Sequence, residues 1–152
     1  MGTGNMSTLV VYDSNFGNTQ VIAEAIAAEL GEDTRAVPVA GLGLDSLTGV
    51  ELLVVGGPVN GWRPSPRMQT FLAQFSHGTL RGVRAAAFDT RLRLFIHGDA
   101  AGKMAHALER AGAHIVARPV GFVVEGTHGP LAAGELEKAV AWAGSIVSAI
   151  HR

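Results

Sequence analysis

Two short runs, Thr8-Leu9-Val10-Val11-Tyr12 and Leu52-Leu53-Val54-Val55, are apolar on consecutive residues rather than on alternate ones. A strand with one face in water alternates, so a continuous run predicts a strand buried on both faces. The intervening segments supply the cover. Val21, Ile22, Ala25, Ile26 and Leu30 fall at helical spacing up to Gly31, a natural helix terminator. Met68, Phe71, Leu72 and Phe75 make a second stripe, opened by Pro64-Ser65-Pro66, with proline suited to a first turn. Met104, Leu108 and Ala111 mark a third helix, from about Gly98 to Gly112, with Asp99 as its cap. Leu136, Val140, Ala143, Val147 and Ile150 make a fourth.

Three more strands complete the alternation. Thr34–Val39 reads as the second, and a Gly-rich link, Ala40–Gly49, leads on to the third at Leu52–Val55, which Gly56-Gly57-Pro58 ends. Val83–Phe88 is the fourth, and Ile115–Val124 the fifth, interrupted near Pro119 and Gly121. Strands alternating with helices through short links predict a doubly wound, open five-stranded parallel sheet in a three-layer α/β/α sandwich. No repeat or linker divides the chain, so residues 7–152 are expected to form a single domain. Residues 1–6 read as a flexible start or a cloning remnant, with Met6 a possible initiator.

Composition removes several function classes. A formal charge of −1 gives no field favouring nucleic acid or an anionic membrane. The absence of cysteine excludes disulfides, thiolate metal sites and a cysteine nucleophile, and fits a reducing cytoplasm. No apolar run approaches the roughly 20 residues that span a bilayer. His97, His106, His114 and His128 lack the spacing of a metal site. Neither a G-x-S-x-G elbow nor a GxGxxG fingerprint is present. A phosphorylated receiver domain is excluded too, since the third strand ends in Gly56-Gly57-Pro58 and Ala117–Glu125 has no lysine.

In an open α/β sheet, ligands bind beyond the carboxyl ends of the strands. That singles out three loops: Asp13–Thr19, Gly56–Pro66 and Asp89–Gly98. In the first, Ser14 and Thr19 offer hydroxyl donors, Asn15 and Asn18 offer amides, and Gly17 lets the backbone N–H groups converge. The loop feeds a helix N-terminus, whose unpaired N–H groups and dipole favour an anion such as phosphate. It contains no lysine or arginine, so hydrogen bonds and the dipole alone would hold the phosphate. The plain alternative is a strand-to-helix turn capped by Asn18 or Thr19.

The segment Val10-Val11-Tyr12-Asp13-Ser14-Asn15-Phe16-Gly17-Asn18-Thr19 resembles the first strand and phosphate loop of the flavodoxin family, in the S-x-Y-G-N-T form of related FMN domains. The order of elements is similar from about residue 8 to 151. The resemblance implies a short-chain flavodoxin-like domain with strand order 2-1-3-4-5, and FMN as cofactor. It also implies that Gly56–Trp62 is the second flavin loop, with Pro58, Val59, Asn60 and Gly61 near the ring edge and Trp62 stacking on it. Trp62 has an alternative role, pinning the loop to the surface.

The third loop departs from the family pattern. Asp89, Thr90 and Arg91 stand where an acidic residue and a stacking tyrosine are usual, and the only tyrosine, Tyr12, lies in the first strand. Phe95 is either a substitute aromatic wall or an apolar contact beneath the loop. Arg91 near the flavin would make a less strongly reducing carrier; otherwise it pairs with Asp89 or Glu125 in solvent. The expected function is electron transfer by bound FMN, with a redox partner docking near Trp62. The alternatives are an FMN-dependent oxidoreductase of quinone or porphyrinogen type, and a domain that has lost FMN and serves in interaction.

Overall fold

The structure is a computed structural model that describes residues 7–60, 63–93 and 98–151. The elements run β1 (Thr8–Tyr12), α1 (Asn18–Leu30), β2 (Thr34–Pro38), β3 (Leu52–Pro58), α2 (Pro66–Ala73), β4 (Arg84–Leu92), α3 (Ala100–Arg110), β5 (His114–Ile115), β6 (Val120–Val124) and α4 (Glu135–Ile150). A 3-10 turn at Leu44–Leu47 lies in the link before β3. All pairings between strands are parallel, and the order is β2-β1-β3-β4-β5.

The fifth position is shared. β5 pairs with the start of β4 at Arg84 and Ala85, and β6 pairs with its end, from Phe88 to Leu92. The expected interruption is therefore real, and it spans Val116–Pro119. Gly121, expected at the break, instead sits inside β6 opposite Asp89.

Side-chain alternation divides the core between the two faces of the sheet. Leu9, Val11, Leu53, Val55, Ala85 and Ala87 pack with Met68 and Phe71 of α2 and with Met104 and Leu108 of α3. Val10, Tyr12, Leu52, Val54, Ala86 and Phe88 pack with Ile22 and Ile26 of α1 and with Trp142, Ala143 and Ile146 of α4. Each large side chain fully buried in these layers contributes roughly 1.5–3 kcal/mol. The central strand β3 gives up side chains where β4 needs room: a Cβ on Gly56 would lie 2.0 Å from the Phe88 ring. Phe88 in turn meets Phe122 and Trp142 edge-on.

Two strands run further than their apolar runs. β3 continues through Gly56 and Gly57 to Pro58, and β4 continues through Asp89, Thr90 and Arg91 to Leu92. Asp89–Arg91 are thus strand residues and not the start of a loop. Their polar side chains suggested an exit from the sheet, but Asp89 and Thr90 are buried and hydrogen-bonded. No helix among the described residues is long and apolar enough to cross a membrane.

Candidate functional site

The carboxyl ends of β1, β3 and β4 lie side by side, and the loop after β1 is fastened to both neighbours. The Asp13 N–H donates to the Gly56 carbonyl at 3.0 Å. Its buried carboxylate accepts from the Ser65 hydroxyl at 2.5 Å and from Arg67 Nε at 2.8 Å. Ser65 also caps α2, accepting from the Met68 N–H, with Pro66 in the first turn.

Arg67 adds a second contact, donating from its Nη2 to Asn15 Oδ1 at 2.7 Å. Arginine has no acceptor, so Asn15 must present its oxygen to Arg67 and keeps both amide hydrogens for other partners. The phosphate-type loop therefore does have an arginine beside it, supplied by α2 and not by the loop itself. Nothing in the local sequence announces this, because residues 13 and 67 meet only through the fold.

Within the loop, Gly17 donates its N–H to the Ser14 hydroxyl at 3.0 Å and adopts φ 92°. That left-handed conformation makes Gly17 the N-cap of α1, and no side chain caps the helix. The expected alternative of Asn18 or Thr19 as cap is not observed: both lie inside α1. Thr19 is buried, and its hydroxyl is 2.8 Å from that of Thr90, tying α1 to β4. From the other side comes the turn after β6. Phe16 meets the His128 ring edge-on at 4.2 Å, and a Cβ on Gly129 would lie 2.6 Å from Asn18 Oδ1.

On β4, Arg91 makes a two-pronged bond to Asp89, Nε to Oδ1 at 2.7 Å and Nη2 to Oδ2 at 2.6 Å. Asp89 Oδ2 also accepts the Ala101 N–H in the first turn of α3 at 2.9 Å. The Asp89 hydrogen bond holds the Arg91 pKa above its ordinary value. Of the two expected roles for Arg91, pairing with Asp89 is what the structure shows, although the pair is largely buried and not in solvent. Arg93, not Arg91, lies near Glu125, at 3.8 Å. Gly121 makes the pair possible, since a Cβ there would sit 2.1 Å from Arg91 Nε.

These pieces enclose a cleft of about 310 Å³. Ser14, Asn15, Phe16, Asn18, Thr19, Pro58, Val59, Asn60, Thr90 and Arg91 all line it. Gly17 and Asp89 do not line it; they act one step behind, on backbone shape and on Arg91. Gly61, Trp62, Phe95 and His97 lie outside the described residues. Leu92, Val124 and Thr127 line the cleft without having been expected. They arrive through the extension of β4 and its pairing with β6, which apolar patterning alone did not reveal. Val59 is fixed by its N–H bond to the Thr90 carbonyl, and Asn60 and Arg63 pair antiparallel. No group of side chains among the described residues is arranged to hold a metal ion.

The same architecture occurs in solved structures. A flavodoxin from the domain Archaea superposes with a TM-score of 0.78 at 21% identity, covering 97% of this chain and all of the other. Oxidised Flavodoxin 1 from Bacillus cereus gives 0.79 at 17% identity, covering 93% of this chain and 97% of that one. Rubredoxin oxygen:oxidoreductase from the anaerobe Desulfovibrio gigas gives 0.77 at 18% identity, with 95% of this chain matching 36% of that larger one. No curated protein sequence matches this chain. The family model for the flavodoxin domain matches residues 9–112, from the first strand to beyond the third helix. With most of its length under that model, this chain belongs to the flavodoxin domain family.

Proposed function

We propose that this protein is an FMN-binding electron carrier of flavodoxin type, working in the cytoplasm. The observation that supports this most is the cleft itself. It joins a helix N-terminus with no side-chain cap, ringed by hydroxyl and amide donors, to a neighbouring apolar wall. The donor set suits a phosphate: Ser14, Asn15, Asn18 and Thr19 offer neutral donors around the start of α1, where the dipole favours an anion. Val59, Leu92 and Val124 suit a flat apolar ring.

Bound FMN would supply reversible electron chemistry; the protein would supply binding, orientation and electrostatics. The chain's own residues divide that work. Arg67 orients Asn15 toward the anion, and the Thr19–Thr90 contact fixes the start of α1 against β4. Arg91 lines the cleft while bound to Asp89, with Asp99 3.9 Å away, so its positive charge is shared with carboxylates. That pairing weakens the argument from Arg91 for a less strongly reducing carrier. A redox partner would approach the cleft on the side of Val59 and Asn60, in the second loop, where docking is expected from the sequence.

The test is reconstitution. Full-length protein mixed with FMN should quench flavin fluorescence and retain the yellow colour through gel filtration, with FMN released on denaturation. Protein that stays colourless and leaves the fluorescence unchanged would overturn the reading and favour an interaction domain. Turnover of a quinone with a nicotinamide donor by the loaded protein alone would replace the carrier with an oxidoreductase.

A further inference from the structure

The face of the sheet covered by α2 and α3 carries a second groove, apart from the cleft. It runs between the two helices and encloses about 510 Å³, more than the cleft itself. The 8-residue α2 is shorter than the 11-residue α3, which leaves part of the α3 flank uncovered. The groove has an apolar floor of half-buried Leu72, Phe75 and Ala107.

Its rim is basic. Arg63, Lys103 and Arg110 and the imidazole of His77 line it, all exposed, and no carboxylate does. None of the four forms an ion pair among the described residues, although Arg67, Arg91, Arg93 and Lys138 all do. In a chain of net charge −1, a groove lined by Arg63, Lys103 and Arg110 and by no carboxylate is a local reversal of sign. The four side chains also come in two pairs. Arg63 precedes α2 and Lys103 lies in the first turns of α3, at the carboxyl edge of the sheet. His77 follows α2 and Arg110 ends α3, at the opposite edge. Lys103 and Arg110 are separated by about 10 Å of helix.

We propose that this groove docks an acidic amphipathic segment of a partner protein, with apolar side chains on Leu72 and Phe75 and carboxylates at both ends. A small organic anion needs its donors to converge on one point. Here they are spread over the length of the groove around an apolar middle. That pattern suits a helix with acidic groups two turns apart. Complementary charge would speed encounter and select against basic partners. The site lies on α2 and α3, so it stands whether or not the cleft holds FMN.

The experiment titrates the ¹⁵N-labelled full chain with an acetylated, amidated helical peptide of about 14 residues, carrying two glutamates seven positions apart with leucines between them on the same face. Expected are amide shifts concentrated on residues 63–77 and 103–111, weakened by added salt. The charge reversals K103E and R110E together should weaken binding by about tenfold or more. If that variant fails to fold, K103Q with R110Q serves, with an expected loss in the same direction. Absence of shifts at millimolar peptide, shifts centred elsewhere, or unchanged affinity in the folded variants would overturn the proposal. So would equal binding by a scrambled peptide, by a single-stranded oligonucleotide, or by the linear dianion sebacate.

Discussion

Arg67 stands across the loop after β1 and holds two residues of it at once: Asp13 Oδ1 at 2.8 Å and Asn15 Oδ1 at 2.7 Å. One side chain from α2 thus sets both the anchor of the loop and the direction of its amide donor. Asp13 is buried while Arg67 is half exposed, so most of the consequence falls on the carboxylate left behind.

Replacing that arginine separates its two roles. R67M keeps the aliphatic stem but frees the Asn15 amide and leaves Asp13 with Ser65 alone. Stability should fall by about 1–2 kcal/mol in urea denaturation, since a charge-assisted bond is lost at a partly exposed position. FMN binding should weaken by about 3- to 10-fold, the scale of one disordered hydrogen bond. R67K should recover part of the stability and little of the affinity, because lysine lacks the fork that spans both oxygens.

The Asp89–Arg91 pair should behave differently, being nearly closed off from water. D89A removes the two-pronged bond to Arg91, with Asp99 still 3.9 Å away, and leaves the Ala101 N–H without its carboxylate acceptor, and should cost about 2–4 kcal/mol. G121A should disturb the same pair without touching either member, since its Cβ would meet Arg91 Nε at 2.1 Å. The expected loss is about 1–3 kcal/mol, measured by denaturant unfolding. Arg91 titrates above its ordinary value in the folded protein. A raised folded pKa gives stability that is complete below the unfolded value and lost only above it. For arginine that loss lies beyond the accessible range, so Arg91 should add no pH dependence near neutrality.

Tyr12 supplies an alkaline marker. It is the only tyrosine in the chain, and burial first, then the charge of Glu24, raises its pKa above the ordinary 10.0. The neutral phenol is thus favoured in the folded state. Its contribution to stability is complete below the unfolded value and is lost as pH rises through the folded one. Tyrosinate absorbance in the native protein should appear at higher pH than in urea. Y12F should remove both that signal and the accompanying fall in stability. Coincident native and denatured titrations would contradict the packing assigned to this residue.

How much of this could be read from the chain follows from which signals are local. The strands at Thr8–Tyr12 and Leu52–Val55 were legible because burial on both faces leaves no polar positions. The loop at Ser14–Thr19 was legible as a strand-to-helix junction, because a glycine among small polar residues follows the first apolar run and precedes the first helical stripe. Asp89-Thr90-Arg91 misled because polarity there reflects pairing inside the sheet, with Gly121 yielding space and α3 yielding an N–H. Arg67 could not be found at all: its partner Asp13 lies 54 residues away, and only the packing of α2 against β1 and β3 brings them together. Thr127 and Val124 were hidden for the same reason, since they depend on β6 pairing with the far end of β4.

The Thr19–Thr90 contact allows a sharper test than any single deletion. Both hydroxyls are buried, and each is the partner of the other at 2.8 Å. T90V removes one and strands the other away from water, where an unpaired hydroxyl costs about 1–3 kcal/mol. T19V should cost a similar amount. Replacing both with valine, which has the same shape, removes the polar pair together and can be nearly neutral. The double variant should therefore be more stable than either single one, with a coupling of at least about 1 kcal/mol in a double-mutant cycle. Simple additivity would mean that the hydroxyls find other partners. The double variant also loses a donor at the start of α1, where the phosphate is proposed to sit. It should fold well and yet bind FMN more weakly than the parent, which distinguishes the loop's role in binding from its role in folding.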